Sequence, residues 1–139
     1  QSGLYIGFTD NSDRLTEVLA TVLTVVMRNG VPLVFKETAK HKLVKTAVQF
    51  RRRMSEINAA EINVFQTNND NVVVISRGQR GICLMNNGRK TSKINLIKGA
   101  IMGNFRSFTD PTNIVSILNG KPTSPISIEP KSVNFYTKT

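Results

Sequence analysis

The sequence predicts an α+β fold in which a short β-α-β-α unit is followed by an antiparallel β domain. Two observations lead to this prediction. Up to about residue 57, short apolar runs alternate with longer segments whose apolar residues recur every three or four positions, a rhythm typical of parallel α/β units. After residue 57 the chain changes to short β-rich runs separated by turn residues, which favours an antiparallel sandwich or open barrel. We therefore expect one unit over residues 1–57 and an antiparallel β domain over residues 58–139.

The first unit contains two predicted strands and two predicted helices. Polar residues after the first apolar run supply a turn and a helix N-cap. Asn29 and Gly30 then stop the first helix, since glycine is the usual residue just beyond a helix end. The predicted elements are, in order, the strand Leu4–Phe8, the helix Arg14–Arg28, the strand Val31–Phe35 and an amphipathic basic helix from about Thr38 to Met54.

The second unit is predicted to consist of strands alone. Turn residues such as Asn86-Asn87-Gly88 and Asn119-Gly120 separate its apolar runs. The predicted strands are Glu61–Gln66, Asn71–Ser76, Gly81–Asn86, Lys93–Lys98, Ile114–Leu118, Pro125–Glu129 and Ser132–Tyr136.

The chain is strongly basic and contains a single cysteine. Its net charge of +10 predicts attraction to polyanions, without choosing among nucleic acid, anionic lipid, acidic polysaccharide and acidic protein. Cys83 lies in an apolar run and is expected to be a small buried hydrophobic residue. No apolar stretch is long enough for a membrane span. Because the chain begins at Gln1 and not at Met, we expect a product that is secreted or otherwise processed.

Four segments in order resemble the C-terminal part of the α-amylases of glycoside hydrolase family 13. Phe8-Thr9-Asp10-Asn11-Ser12-Asp13 resembles the fourth conserved region, and residues 29–35 resemble the eighth barrel strand. Residues 41–51 resemble the last barrel helix, and residues 71–81, with Asn86-Asn87, resemble a hairpin of the C-terminal domain in animal-type amylases. The resemblance implies that the first unit is a remnant of a (β/α)8 barrel and that the second is an amylase C-terminal β-sandwich.

The resemblance does not bring a catalytic site with it. Glycoside hydrolysis needs two carboxyl groups that flank the scissile bond. Of the family's three catalytic acids only the third is matched here, by Asp13, so we expect no catalytic residue and regard Asp13 as an inactive remnant that caps the following helix. Ser12 stands where the family has a substrate-binding His, and the loop at residues 36–40 is short. Any retained ligand site is expected at Asn11, Ser12 and Asp13.

No cofactor or metal is expected. Asn11 matches a position that holds chloride in animal-type amylases, but Leu33 stands where an Arg ligand belongs. His41 is the only histidine and is predicted to be a solvated surface residue. No second His or Cys stands at metal-ligand spacing. Calcium is equally unsupported, because the acidic residues are scattered and only Asp10 and Asp13 lie close together.

The densest basic cluster lies on the second predicted helix. The plain interpretation is a solvated helix face whose methylene groups cover apolar surface. The functional interpretation is a surface that binds a polyanion or polysaccharide, since few acidic residues lie nearby. Its residues are Lys40, Lys42, Lys45, Arg51, Arg52 and Arg53.

The function that these observations favour is that of a non-catalytic, amylase-derived module that acts in binding or assembly. Two parallel strands leave unpaired edges, so a protein partner or self-assembly through those edges is expected. One alternative is the C-terminal fragment of a secreted α-amylase-type glycosidase that acts on α-glucans. Another is a basic polyanion-binding protein.

Overall fold

A computed structural model describes residues 14–27 and 41–139, and within these ranges it confirms the α+β class. The predicted strands Leu4–Phe8 and Val31–Phe35 lie outside the described residues. The helices are α1 (Arg14–Val26) and α2 (Lys42–Glu56). The strands are β1 (Ile62–Gln66), β2 (Val72–Arg77), β3 (Gly81–Asn86), β4 (Ser92–Ile94), β5 (Gly103–Ser107), β6 (Ile114–Leu118), β7 (Lys121–Pro122), β8 (Ile126–Ile128) and β9 (Ser132–Lys138).

Seven of these strands form one antiparallel sheet with the order β1-β2-β3-β9-β5-β6-β7. Strands β4 and β8 form a separate antiparallel pair. The strand that comes last in the chain, β9, lies between β3 and β5. The predicted antiparallel β domain is therefore present, with β5 and β7 as additional strands that the sequence did not predict.

The centre of the large sheet is buried on both faces. Because successive strand residues point to opposite faces, each strand contributes to two cores. The paired residues Ile75, Cys83 and Phe135 belong to a core that also contains the apolar residues of α1 and α2. Their neighbours Val74 and Leu84 belong to a second core on the opposite face.

The second core lies inside the β domain. It joins residues from both ends of the same sheet, such as Val74 of β2 and Ile117 of β6, so the sheet curls around it. Ile94 and Ile128, from the small β4–β8 pair, complete the core.

Helix α2 is amphipathic, as its sequence pattern predicts. Its buried side chains recur at helical spacing and pack on the sheet. His41 departs from its prediction, because it is half-buried and forms the N-cap: its Nδ1 accepts a hydrogen bond of 3.1 Å from the backbone N–H of Leu43. A side-chain acceptor at this position satisfies one of the free N–H groups of the first turn. The buried residues of α2 are Val44, Thr46, Ala47, Phe50 and Met54.

The two helices run in the same direction. At one end of the sheet, Lys131 donates to Thr16, in the first turn of α1, over 3.0 Å. Val133, near the start of β9, lies at the same end and borders the first turn of α2. At the other end, Arg77 donates to the carbonyl group of Val26, the last residue of α1. It also donates to the carbonyl group of Ala59, which comes shortly after the end of α2. Neither helix is long and apolar enough to cross a membrane.

The glycine at the start of β3, Gly81, allows α2 to approach the sheet closely. A Cβ atom placed on Gly81 would lie 2.5 Å from Sδ of Met54 and 2.8 Å from Cζ of Phe50. These distances are shorter than ordinary van der Waals contacts. Gly81 therefore marks the point where helix α2 touches the strand backbone.

Replacing Gly81 by alanine is expected to lower the free energy of unfolding by about 1–3 kcal/mol, because the added methyl group overpacks the contact with α2. In an ordinary strand the same change would be neutral or favourable, since glycine weakens strands. Urea unfolding measures the difference. Arg80→Ala, at an exposed position of the same turn, is the control and should stay within about 0.5 kcal/mol of the wild type. A Gly81→Ala variant as stable as the wild type would contradict this prediction and show that the ends of the Met54 and Phe50 side chains shift to accept the methyl group.

Candidate functional site

The exposed side of α2 carries a row of cationic side chains. Lys42, Lys45 and Arg52 are all exposed and share one face of the helix with the exposed Gln49, at spacings of three and four residues. We call Lys42, Lys45 and Arg52 the basic stripe. The buried residues of α2 occupy the opposite face, so packing on the sheet orients the stripe toward solvent.

The residues of the predicted basic cluster do not all lie on the exposed side of α2. At about 100° per residue, Arg51 falls on the same half of α2 as Phe50 and Met54. The structure places Arg51 accordingly: it is half-buried, and its charge lies near enough to Arg77 to affect the pKa of that group. Arg51 is therefore part of the helix–sheet contact and not of the exposed surface.

Arg53 remains exposed but is partly neutralised. Its Nη1 lies 3.8 Å from Oε1 of Glu56, one helical turn further along, and both side chains are more than half exposed. Such a surface ion pair contributes little stability. It does reduce the positive field at that end of α2, which leaves the basic stripe as the less compensated part of the cluster.

A second cationic centre lies behind α2 and is fully buried. Arg77, at the end of β2, has no exposed surface; its Nε donates to the carbonyl of Ala59 over 3.0 Å and its Nη1 to the carbonyl of Val26 over 2.8 Å. Val26 is the last residue of α1, where the helix dipole places partial negative charge. Burial lowers the pKa of Arg77, and the positive charge of Arg51 acts in the same direction. This guanidinium ties the ends of both helices to the sheet.

An open cleft of about 300 Å³ lies beside the start of α2. Lys42 and Thr46 line it from the helix, and Asn134 and Phe135 line it from β9. The carboxylate of Asp110 is the one acidic group at the cleft among the described residues, and its Oδ1 accepts hydrogen bonds from Thr112. The cleft offers polar hydrogen-bonding groups but no pair of acids that could act as proton donor and nucleophile.

The acidic groups in the part of the chain that the structure describes are all exposed. None of them is enclosed by the apolar cores. Nor do residues 14–27 and 41–139 contain a group of three or more His, Cys, Asp and Glu that could hold a metal. These acids are Glu17, Glu56, Glu61, Asp70, Asp110 and Glu129.

The structure describes only part of the predicted site. Asn11, Ser12, Asp13 and Lys40 lie outside the described residues. Lys42, Lys45, Arg52 and Arg53 come together on one exposed surface, whereas Arg51 does not. Sequence reasoning did not single out Arg77 as a functional or structural residue, although its place directly before the glycine-rich turn was a visible signal.

Comparisons with known proteins find a likeness to solved structures. No known family matches the sequence, and no curated protein does. Among solved structures, an α-amylase from Anoxybacillus is similar to this chain with a TM-score of 0.45 and 14% sequence identity. The match covers 70% of this chain, and the chain spans 23% of the length of that amylase.

Proposed function

We propose that this chain is a non-catalytic module derived from the C-terminal part of an animal-type α-amylase, and that it acts in binding or assembly. The observation that carries the proposal is the distribution of charge: the described acids are exposed and scattered, whereas cations are concentrated on α2. A glycosidase needs two carboxyl groups at a defined separation. A binding module needs only an accessible surface of suitable charge.

Two structural features support the derivation from an amylase. Helices α1 and α2 run in the same direction side by side, as consecutive helices of β-α units do. The hairpin that resembles the amylase C-terminal domain supplies Arg77 and Gly81, the residues that hold these helices on the sheet. In this proposal the first unit is a barrel remnant, and its unpaired strand edges are where a protein partner or a second copy adds.

The proposal is tested by assaying the purified chain on soluble starch and on a chromogenic maltooligosaccharide. We expect no turnover above the buffer rate, because a single matched acid, Asp13, cannot act both as nucleophile and as proton donor. Asp13→Asn is the matched control. Starch hydrolysis that this substitution abolishes would contradict the proposal and favour a glycosidase fragment; hydrolysis that it leaves unchanged would indicate a contaminating enzyme.

A further inference from the structure

We propose that the basic stripe of α2 binds a linear sulfated polysaccharide. This inference rests on the binding role proposed above and names its ligand class. The stripe runs along one side of the helix from Lys42 to Arg52. At a rise of 1.5 Å per residue these ends are about 15 Å apart, so the stripe presents a straight row of positive charge to an extended chain.

The stripe has an excess of positive charge in the part of the chain that the structure describes. Among the described residues, no acid forms an ion pair with Lys42, Lys45 or Arg52. The one acid within α2, Glu56, pairs with Arg53. Surface helices usually carry both signs of charge at neighbouring positions, which stabilises them by ion pairs between turns. The cations of the stripe therefore do not stabilise α2 through ion pairs between turns. They produce a positive electrostatic field along the helix that attracts a polyanion.

The kind of polyanion follows from what surrounds the stripe. Proteins that bind single-stranded nucleic acid stack the bases on exposed aromatic side chains. None of the six aromatic residues in the described part of the chain is exposed: Phe50, Phe65, Phe105, Phe108, Phe135 and Tyr136 are buried or half-buried. A sulfated polysaccharide needs no stacking platform, because Lys binds its sulfates as a point charge and Arg binds them through the N–H groups of its guanidinium.

Polar groups next to the stripe suit the hydroxyl groups of a sugar chain. Gln49 lies within the stripe, and Thr46 and Asn134 line the cleft that opens beside Lys42. A polysaccharide that lies along α2 would thus meet charge over the helix and hydrogen-bonding groups at its beginning.

The test is the affinity of the intact chain for a heparin-derived octasaccharide, measured by calorimetry at several salt concentrations. The triple variant Lys42→Glu, Lys45→Glu, Arg52→Glu is expected to bind about tenfold more weakly or worse. Its slope of log affinity against log salt should be smaller in magnitude by about two to three, because three cations no longer displace counterions from the polyanion. Glutamate is a good helix former, so α2 should persist, and circular dichroism and urea unfolding check this.

The matched control is Lys98→Glu, Lys121→Glu, Lys138→Glu, which removes the same charge from exposed positions of the β domain. It is expected to bind within about threefold of the wild type if the site is local.

An equal loss in both triple variants would overturn the proposal in favour of a net-charge effect. Tighter binding of a DNA strand of matched charge would overturn it in favour of nucleic acid, and absence of binding at low salt would overturn it outright. Because none of these outcomes involves starch hydrolysis, failure here is distinguishable from failure of the proposed function.

Discussion

Replacing Arg77 by alanine is expected to lower the free energy of unfolding by about 3–5 kcal/mol, close to the whole stability of a marginal domain. Arg77 has no exposed surface and donates to two carbonyl groups from different segments, those of Val26 and Ala59. The truncation removes donors from buried acceptors, each loss costing about 1–3 kcal/mol, and leaves a cavity behind α2. The midpoint and slope of urea unfolding give the change.

Two further variants separate the possible causes. Arg77→Lys keeps the positive charge but cannot donate to both carbonyl groups in the geometry of a guanidinium, so it should recover only part of the lost stability. Arg80→Ala, at an exposed position three residues away in the same turn, should change stability by less than about 0.5 kcal/mol. If Arg77→Ala unfolded at the same urea concentration as Arg80→Ala, the role assigned to the buried guanidinium would be wrong.

The second large effect is expected at Asn86, the last residue of β3. Its side chain has no exposed surface, and its Nδ2 lies 3.0 Å from the carbonyl oxygens of Lys90 and Ile128 and 3.1 Å from that of Glu129. Its Oδ1 accepts from the N–H of Gly88 over 2.8 Å. One amide thus joins the turn after β3 to the segment after β8.

Asn86→Asp keeps the shape of this side chain but replaces the donating group by an oxygen that faces three acceptors. We expect a loss of about 3–5 kcal/mol at neutral pH, from repulsion and from burial of a charge. Burial should raise the pKa of the introduced carboxyl in the folded state above its unfolded value of about 3.9. The folded state then binds more protons in that range, so the variant's stability relative to wild type should rise as the pH is lowered from 7 to 4.

The measurement is urea unfolding of both proteins at these two pH values. Asn95→Asp, at an exposed position, serves as the control and should show neither the loss nor its pH dependence. A loss at Asn86 that is equal at both pH values would show that the introduced carboxyl is not buried against the carbonyl groups.

Strands that are continuous apolar runs between turn residues could be predicted from the sequence, whereas strands held mainly by their neighbours could not. Gly81–Asn86 was predicted with the bounds that the structure has. Strand β5 was missed because Gly103 and Asn104 have low strand propensity, and Gly103 adopts a φ of +137°. Pairing with β6 on one side and β9 on the other supplies what the local sequence lacks.

The sequence predicted the candidate site as a basic helix. That Arg51 lies apart from the exposed cations was predictable as well but was overlooked. Helical spacing placed Lys42, Lys45 and Arg52 together, and the same spacing would have placed Arg51 with Phe50 on the buried half. The role of Arg77 depends on the carbonyl group of Val26, 51 residues earlier in the chain. No local pattern reveals a partner at that distance, because the contact exists only after the helices and the sheet have packed.

The position of β9 has a consequence for the order of events during synthesis. This strand, Ser132–Lys138, lies between β3 and β5 in the sheet although it is the last of the described strands to be made. Until it has left the ribosome, the β1-β2-β3 and β5-β6-β7 groups each present an open edge and half of an unfinished core. The nascent chain therefore exposes an incomplete sheet from the completion of β3 until β9 emerges, and a chaperone that shields those two edges would act in that interval.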